Sequence, residues 1–136
     1  MRFFIVLVLL AGACSIPSLE DPQCTAARNS LREFYSFHFG NDMKMSPENL
    51  KLREKFLSPE LYRTLSALPA GDTDYFTQTA DLPKTFRVGT CKLESPDKAL
   101  LQVLLFWKTE TRSEQRSLNV EEVRENDSWL VNKVSN

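Results

Sequence analysis

Residues Lys98-Ala99-Leu100-Leu101-Gln102-Val103-Leu104-Leu105-Phe106-Trp107-Lys108 carry apolar side chains at both parities. Ala99, Leu101, Val103, Leu105 and Trp107 fall on one side of an extended chain, and Leu100, Leu104 and Phe106 on the other. A strand that is apolar on both faces belongs inside a sheet, not at its rim. Turn chemistry supplies its neighbours. Ser95-Pro96-Asp97-Lys98 is a turn, because proline presets the first central residue and aspartate tolerates the second. The strand before it, Thr85 to Glu94, puts Phe86, Val88 and Thr90 on one face, with Gly89 as a bulge site. Downstream, Thr109 to Glu114 is a polar hairpin connection and Gln115 to Arg124 a third strand carrying Leu118 and Val120. Glu125-Asn126-Asp127 turns the chain into a fourth strand, Ser128 to Val134, with Trp129 and Val131.

The preceding half has a helical period. Asp21-Pro22, Ser46-Pro47-Glu48 and Ser58-Pro59-Glu60 are three helix starts, each a capping oxygen followed by a proline whose missing N–H is no loss in a first turn. In the first helix Ala27, Leu31, Phe34, Tyr35 and His38 recur at spacings of three and four until Gly40-Asn41-Asp42. The second is shorter and anchors through Leu50 and Phe56. The third places Leu61, Leu65 and Leu68 at i, i+4 and i+7 before Pro69 and Gly71 stop it. Gly71 to Lys84 lacks a period and reads as an ordered loop around Tyr75 and Phe76, of a length that often carries function. The expected architecture is α+β: three N-terminal helices packed on one face of a four-stranded antiparallel sheet, in one domain over residues 22–136. The opposite face, with Leu100, Leu104 and Phe106, needs cover of its own. A sheet curved around a pocket, a surface for a partner or a homodimer, and shielding by neighbouring long side chains all remain open.

The N-terminus gives an address. Met1 and Arg2 are a short cationic start, Phe3 to Leu10 an unbroken apolar run, and Ala11-Gly12-Ala13 small residues before Cys14. As a helix, Phe3 to Ala13 would span about 16 Å against a hydrocarbon core of about 30 Å, so the segment is a signal peptide (1–13) and not a membrane span. Leu10-Ala11-Gly12-Ala13-Cys14 resembles the bacterial lipobox, which implies a lipidated Cys14 followed by a tether over 14–21. Ala-Gly-Ala equally satisfies the general signal peptidase. Ser15, in place of an aspartate, implies sorting to the outer membrane or cell surface facing the periplasm. Without lipid the chain would be periplasmic or secreted. With Cys14 acylated, Cys24 and Cys91 are left to form a disulfide, or to stay as two buried thiols.

Composition excludes several classes. A formal charge of −1, with lysines and arginines spread along the chain, leaves no footprint for nucleic acid or anionic lipid. A single histidine and scattered cysteines give no metal-ligand spacing, and with four glycines there is no phosphate-cradling loop, so no metal or cofactor is expected. Glu121-Glu122 and the run from Lys51 to Lys55 read as solvated faces.

Four segments in order carry a resemblance: Leu31-Arg32-Glu33-Phe34-Tyr35, Leu57-Ser58-Pro59-Glu60-Leu61, Asp74-Tyr75-Phe76 with Gln78 and Asp81-Leu82-Pro83, and Val123-Arg124-Glu125-Asn126-Asp127-Ser128-Trp129-Leu130-Val131. Over roughly residues 25 to 134 the chain resembles the NTF2-like (cystatin-like) superfamily, and more narrowly the DUF3828 group of small bacterial envelope proteins. The resemblance implies a strongly curved sheet. It leaves function open, since that fold hosts isomerases, dehydratases, ligand binders and interaction modules. On such a scaffold the candidate pocket set is Tyr35 and His38 with Asp74 and Tyr75, His38 as proton carrier and tyrosine as hydrogen-bond donor. Two functions follow. One is a membrane-anchored, non-enzymatic binding or interaction module that engages an envelope protein through the open sheet face or the long loop. The alternative is a small-ligand-binding or proton-transfer enzyme using a pocket in the sheet.

Overall fold

The computed structural model describes residues 20–136. The expected signal peptide, Cys14 and all but the last two residues of the tether lie outside the described residues. Helix α1 (Pro22–Phe39) starts where the Asp21 side chain accepts the Gln23 amide at 2.8 Å, and it buries Cys24, Ala27, Leu31, Phe34, Tyr35 and His38 along one stripe. Ser46 caps α2 (Pro47–Arg53), which tightens into a 3₁₀ turn at Glu54–Phe56, and Ser58 caps α3 (Pro59–Ser66). Helix α3 ends sooner than its leucine spacing predicts. Leu68 lies beyond it and is 56% exposed, because Ala67 and Leu68 are held in a tight turn by the Thr64 and Leu65 carbonyls. Phe56 is half-buried, so Leu50 is the deeper anchor of the second helix.

Strands β1 (Thr85–Ser95), β2 (Lys98–Lys108), β3 (Ser113–Glu125) and β4 (Ser128–Ser135) form an antiparallel meander in the order β1-β2-β3-β4. All three helices lie on the face made by Ala99, Leu101, Val103, Leu105 and Trp107. The sheet curves enough for α1 to touch both of its edge strands, β1 and β4, and so lie in its trough.

Two bulges re-aim side chains. Between Val88↔Val103 and Cys91↔Leu101, β1 advances three residues against two on β2. The extra residue turns Thr90 out to solvent, where the alternation placed it inward, and brings Cys91 to the α1 side. There it forms the disulfide with Cys24, their Cα atoms 5.8 Å apart. Arg28 of α1 clasps the same bulge, donating from Nε and Nη2 to the Gly89 carbonyl at 3.1 Å. On β4, Asn132 is the surplus residue between Lys133 and Val131. Its amide donates to Glu121 and accepts the Ser58 hydroxyl, while the Ser58 amide donates to the Val131 carbonyl, so the start of α3 covers part of the β4 edge.

On the sheet's outer face Leu104 is 7% exposed, and Leu100 and Phe106 are half-buried. Leu104 lies in register between Arg87 and Ser117, and Leu100 between Lys92 and Glu121. The large apolar side chains exposed among the described residues are instead Leu52, Leu68 and Leu82.

Candidate functional site

The last turn of α1 meets α2 and the long loop, and there the structure gathers all four residues of the candidate set. His38 donates from Nε2 to Asp74 Oδ2 at 2.7 Å, while Arg53 Nε donates to His38 Nδ1 at 2.7 Å. A guanidinium has no acceptor, so Nδ1 must carry the lone pair and the imidazole is neutral with its proton on Nε2. Asp74 is fully engaged. Its Oδ2 also accepts the Thr77 hydroxyl at 2.8 Å, and Oδ1 accepts the Phe76 amide at 3.0 Å. Arg53 Nη1 donates to the Asn49 carbonyl, and Nη2 to the Asp42 carbonyl at 2.9 Å and the His38 carbonyl at 3.5 Å. Burial draws the Arg53 guanidinium below its usual range, opposed by the carboxylates of Asp74 and Asp42.

Tyr35 donates to the Phe76 carbonyl at 2.7 Å. Burial pushes its phenol well above the usual range, with Asp74, Tyr75 and Glu122 adding to the shift. The Tyr75 hydroxyl accepts the Val134 amide at 3.0 Å, tying the loop to β4. The His38 ring lies between Phe34, stacked at 5.6 Å, and Phe76, edge-on at 5.1 Å.

His38, Arg53 and Asp74 are each at most 2% exposed, and both imidazole nitrogens are occupied. As folded, the ring cannot take or give a proton without breaking a buried hydrogen bond. The cluster clamps α1, α2 and the loop together. Arg53 was hidden in the sequence inside a lysine-rich run taken for a solvated face, and the structure corrects that reading: three elements bring acceptors to its guanidinium.

Glu122 corrects the same reading a second time. It is 1% exposed, on the inner face with Leu118 and Val120, and burial pushes its carboxyl up to about 9. Its Oε2 has no hydrogen-bond partner among the described residues, nor has the Trp129 indole N–H. Both sit on the trough side of the sheet, Glu122 paired with Val131 two residues from Trp129.

Outside the clamp, the loop walls a half-open cleft of about 550 Å³ against α2 and α3. Leu50, Leu65 and Met45 supply apolar surface, the exposed Leu68 and Pro69 stand at its side, and Tyr62, Tyr75 and Gln78 bring polar tips. Gln78 holds a left-handed backbone (φ 56°) and donates to the Tyr75 carbonyl at 2.6 Å, which shapes that wall. Of the candidate set, only Tyr75 reaches the cleft. Tyr62 and Ser66 also border a second hollow of about 410 Å³ on the other side of α3.

Among the described residues no three histidine, cysteine or carboxylate side chains are placed to hold a metal ion, and no helix is long and apolar enough to cross a membrane.

Compared with solved structures, the chain superposes on an NTF2-like protein involved in plasmid conjugation with a TM-score of 0.52 and 17% identity, over 86% of this chain and 40% of that one. The fold is NTF2-like. A second neighbour of the same TM-score and 19% identity is a protein of unknown function from Bacteroides thetaiotaomicron, covered over 92% of its length and 84% of this chain. The chain thus spans under half of the conjugation protein and nearly all of the Bacteroides one. No family model matches the sequence, and no curated protein does. At these identities the likeness concerns the NTF2-like backbone, not an activity.

Proposed function

We propose that this chain is an exported bacterial lipoprotein, akin to the DUF3828 envelope proteins, whose NTF2-like domain binds a partner or ligand without catalysing a reaction. One observation carries the reading: every member of the candidate set is committed to a structural hydrogen bond, and the proton carrier His38 is closed off from solvent. The cleft under the long loop, by contrast, is open to solvent. A Cys24 to Cys91 bridge fits an oxidising compartment, and the short apolar run ending at Cys14 fits export with lipidation.

The geometry also fits an anchored role. The tether enters at Pro22, while the cleft adjoins the opposite end of α1, about 27 Å away for 18 helical residues. A domain held by its N-terminus would present the cleft away from its own membrane, toward an envelope partner. The neighbour linked to plasmid conjugation is compatible with a role in assembly, although most of that protein lies outside the shared domain.

The anchor is tested by intact-mass measurement of protein from the membrane fraction: acyl mass on Cys14 is expected, and Cys14→Ala should release the chain in soluble form. The binding role is tested by affinity capture from solubilised envelopes. A stoichiometric partner lost on Leu68→Asp and kept on Leu52→Asp, a change at an exposed leucine outside the cleft, is the expected result, and recovery of the bait alone counts against the reading.

A further inference from the structure

We infer that the cleft between α2, α3 and the long loop accepts neutral or cationic apolar small molecules and rejects anionic ones. The inference deepens the binding reading above and rests on it. Its volume, about 550 Å³, lies within the range of small-molecule sites. Its surface is that of a body-binding site: Leu50 and Leu65 are fixed in the core, and Leu68 is an apolar side chain left 56% exposed at its edge.

Charge sets the selectivity. Among the described residues Asp72 is the one charged residue lining the cleft, and neither lysine nor arginine lines it. Lys51, whose ammonium lies 5.9 Å from the Tyr62 ring centroid, is already paired with Glu54. Tyr62 and Tyr75 bring hydroxyl tips that hydrogen-bond a ligand without adding charge. A carboxylate, sulfonate or phosphate entering the cleft would lose water beside Asp72 with no lysine or arginine among the described lining residues to offset it, a cost that an uncharged or ammonium-bearing molecule avoids.

The test compares two dyes with one skeleton, neutral N-phenyl-1-naphthylamine and its anionic analogue 8-anilinonaphthalene-1-sulfonate. Both are titrated by fluorescence against the full chain carrying Cys14→Ala, so that no detergent competes. The neutral dye is expected to bind at least tenfold more tightly, to be displaced by decyltrimethylammonium but not by decyl sulfate, and to weaken severalfold on Leu68→Ser, which alters an exposed side chain and leaves the core intact. Asp72→Asn should narrow the gap between the dyes at least threefold. Equal affinity for the two dyes, or neutral-dye binding unmoved by Leu68→Ser, would overturn the inference. So would the absence of neutral-dye binding. None of these results removes a protein partner captured through the cleft, so the two readings fail separately.

Discussion

His38 Nε2 and Asp74 Oδ2 lie 2.7 Å apart across 36 residues of chain, and Arg53 closes on the opposite ring nitrogen at the same distance. A charge pair bridged by a neutral ring in this way is costly to break from one side, because the survivor is left buried and unpaired. Arg53→Ala is expected to lower unfolding stability by about 3–5 kcal/mol in urea titrations. Arg53→Lys should recover less than half of that, since an ammonium cannot serve Nδ1 and two carbonyls in the same fork. A loss below about 1 kcal/mol for Arg53→Ala would show that the clamp is not needed.

Glu122 predicts a pH dependence of definite sign. Its folded carboxyl, up at about 9 from 4.5, holds a proton over a window in which the unfolded chain has released it. Stability therefore falls as pH rises through that window, by up to about 1.4 kcal/mol per unit from this group alone. Glu122→Leu should be the more stable protein at pH 7, with its advantage growing toward pH 9 and shrinking toward pH 5. Urea midpoints measured at these three pH values check it, and parallel curves for the two proteins would contradict the assignment.

The Cys24 to Cys91 bridge closes 67 residues and ties the first turn of α1 to the β1 bulge. In the chain-entropy description a loop of that length contributes about 4 kcal/mol. Reduction, or the double change Cys24→Ala with Cys91→Ala, should lower the urea midpoint accordingly while leaving the His38 clamp in place. Near-ultraviolet circular dichroism of the aromatic cluster around His38 would report the clamp separately.

Asn126 and Asp127 both hold positive φ, 50° and 64°, between the paired residues Glu125 and Ser128, which makes the last hairpin a two-residue turn of mirror-image type. Asp127→Gly gives that turn its preferred Asn-Gly pair and should raise stability by about 0.5–1 kcal/mol, read as a small increase in melting temperature.

Much of the fold was legible because its signals are local. Asp21, Ser46 and Ser58 each precede a proline and each caps a helix, and the alternation from Ala99 to Trp107 puts its members in the core. Signals that depend on distant parts of the chain were not legible. Nothing next to Arg53 in sequence shows that Asp42 and His38 will supply its acceptors, and nothing in Glu121-Glu122 shows that only the second turns inward. Thr90 was assigned to the wrong face because strict alternation has no place for a doubled position. The candidate site was legible as a cluster but not as a site: Tyr35, His38, Asp74 and Tyr75 do converge, and what decides their use is which atoms each one already satisfies.

The surplus position after Val88 also bears on how relatives of this chain would be aligned. A regular strand cannot gain or lose one residue without turning everything beyond it inside out. Here, removing Thr90 would leave Cys91 opposite Leu101 and still facing Cys24. Single-residue length variation should therefore be tolerated at this point of β1 and purged from the uninterrupted pairing of β2 with β3, so a one-residue gap beside Gly89 would mark true homology and not a misplaced indel.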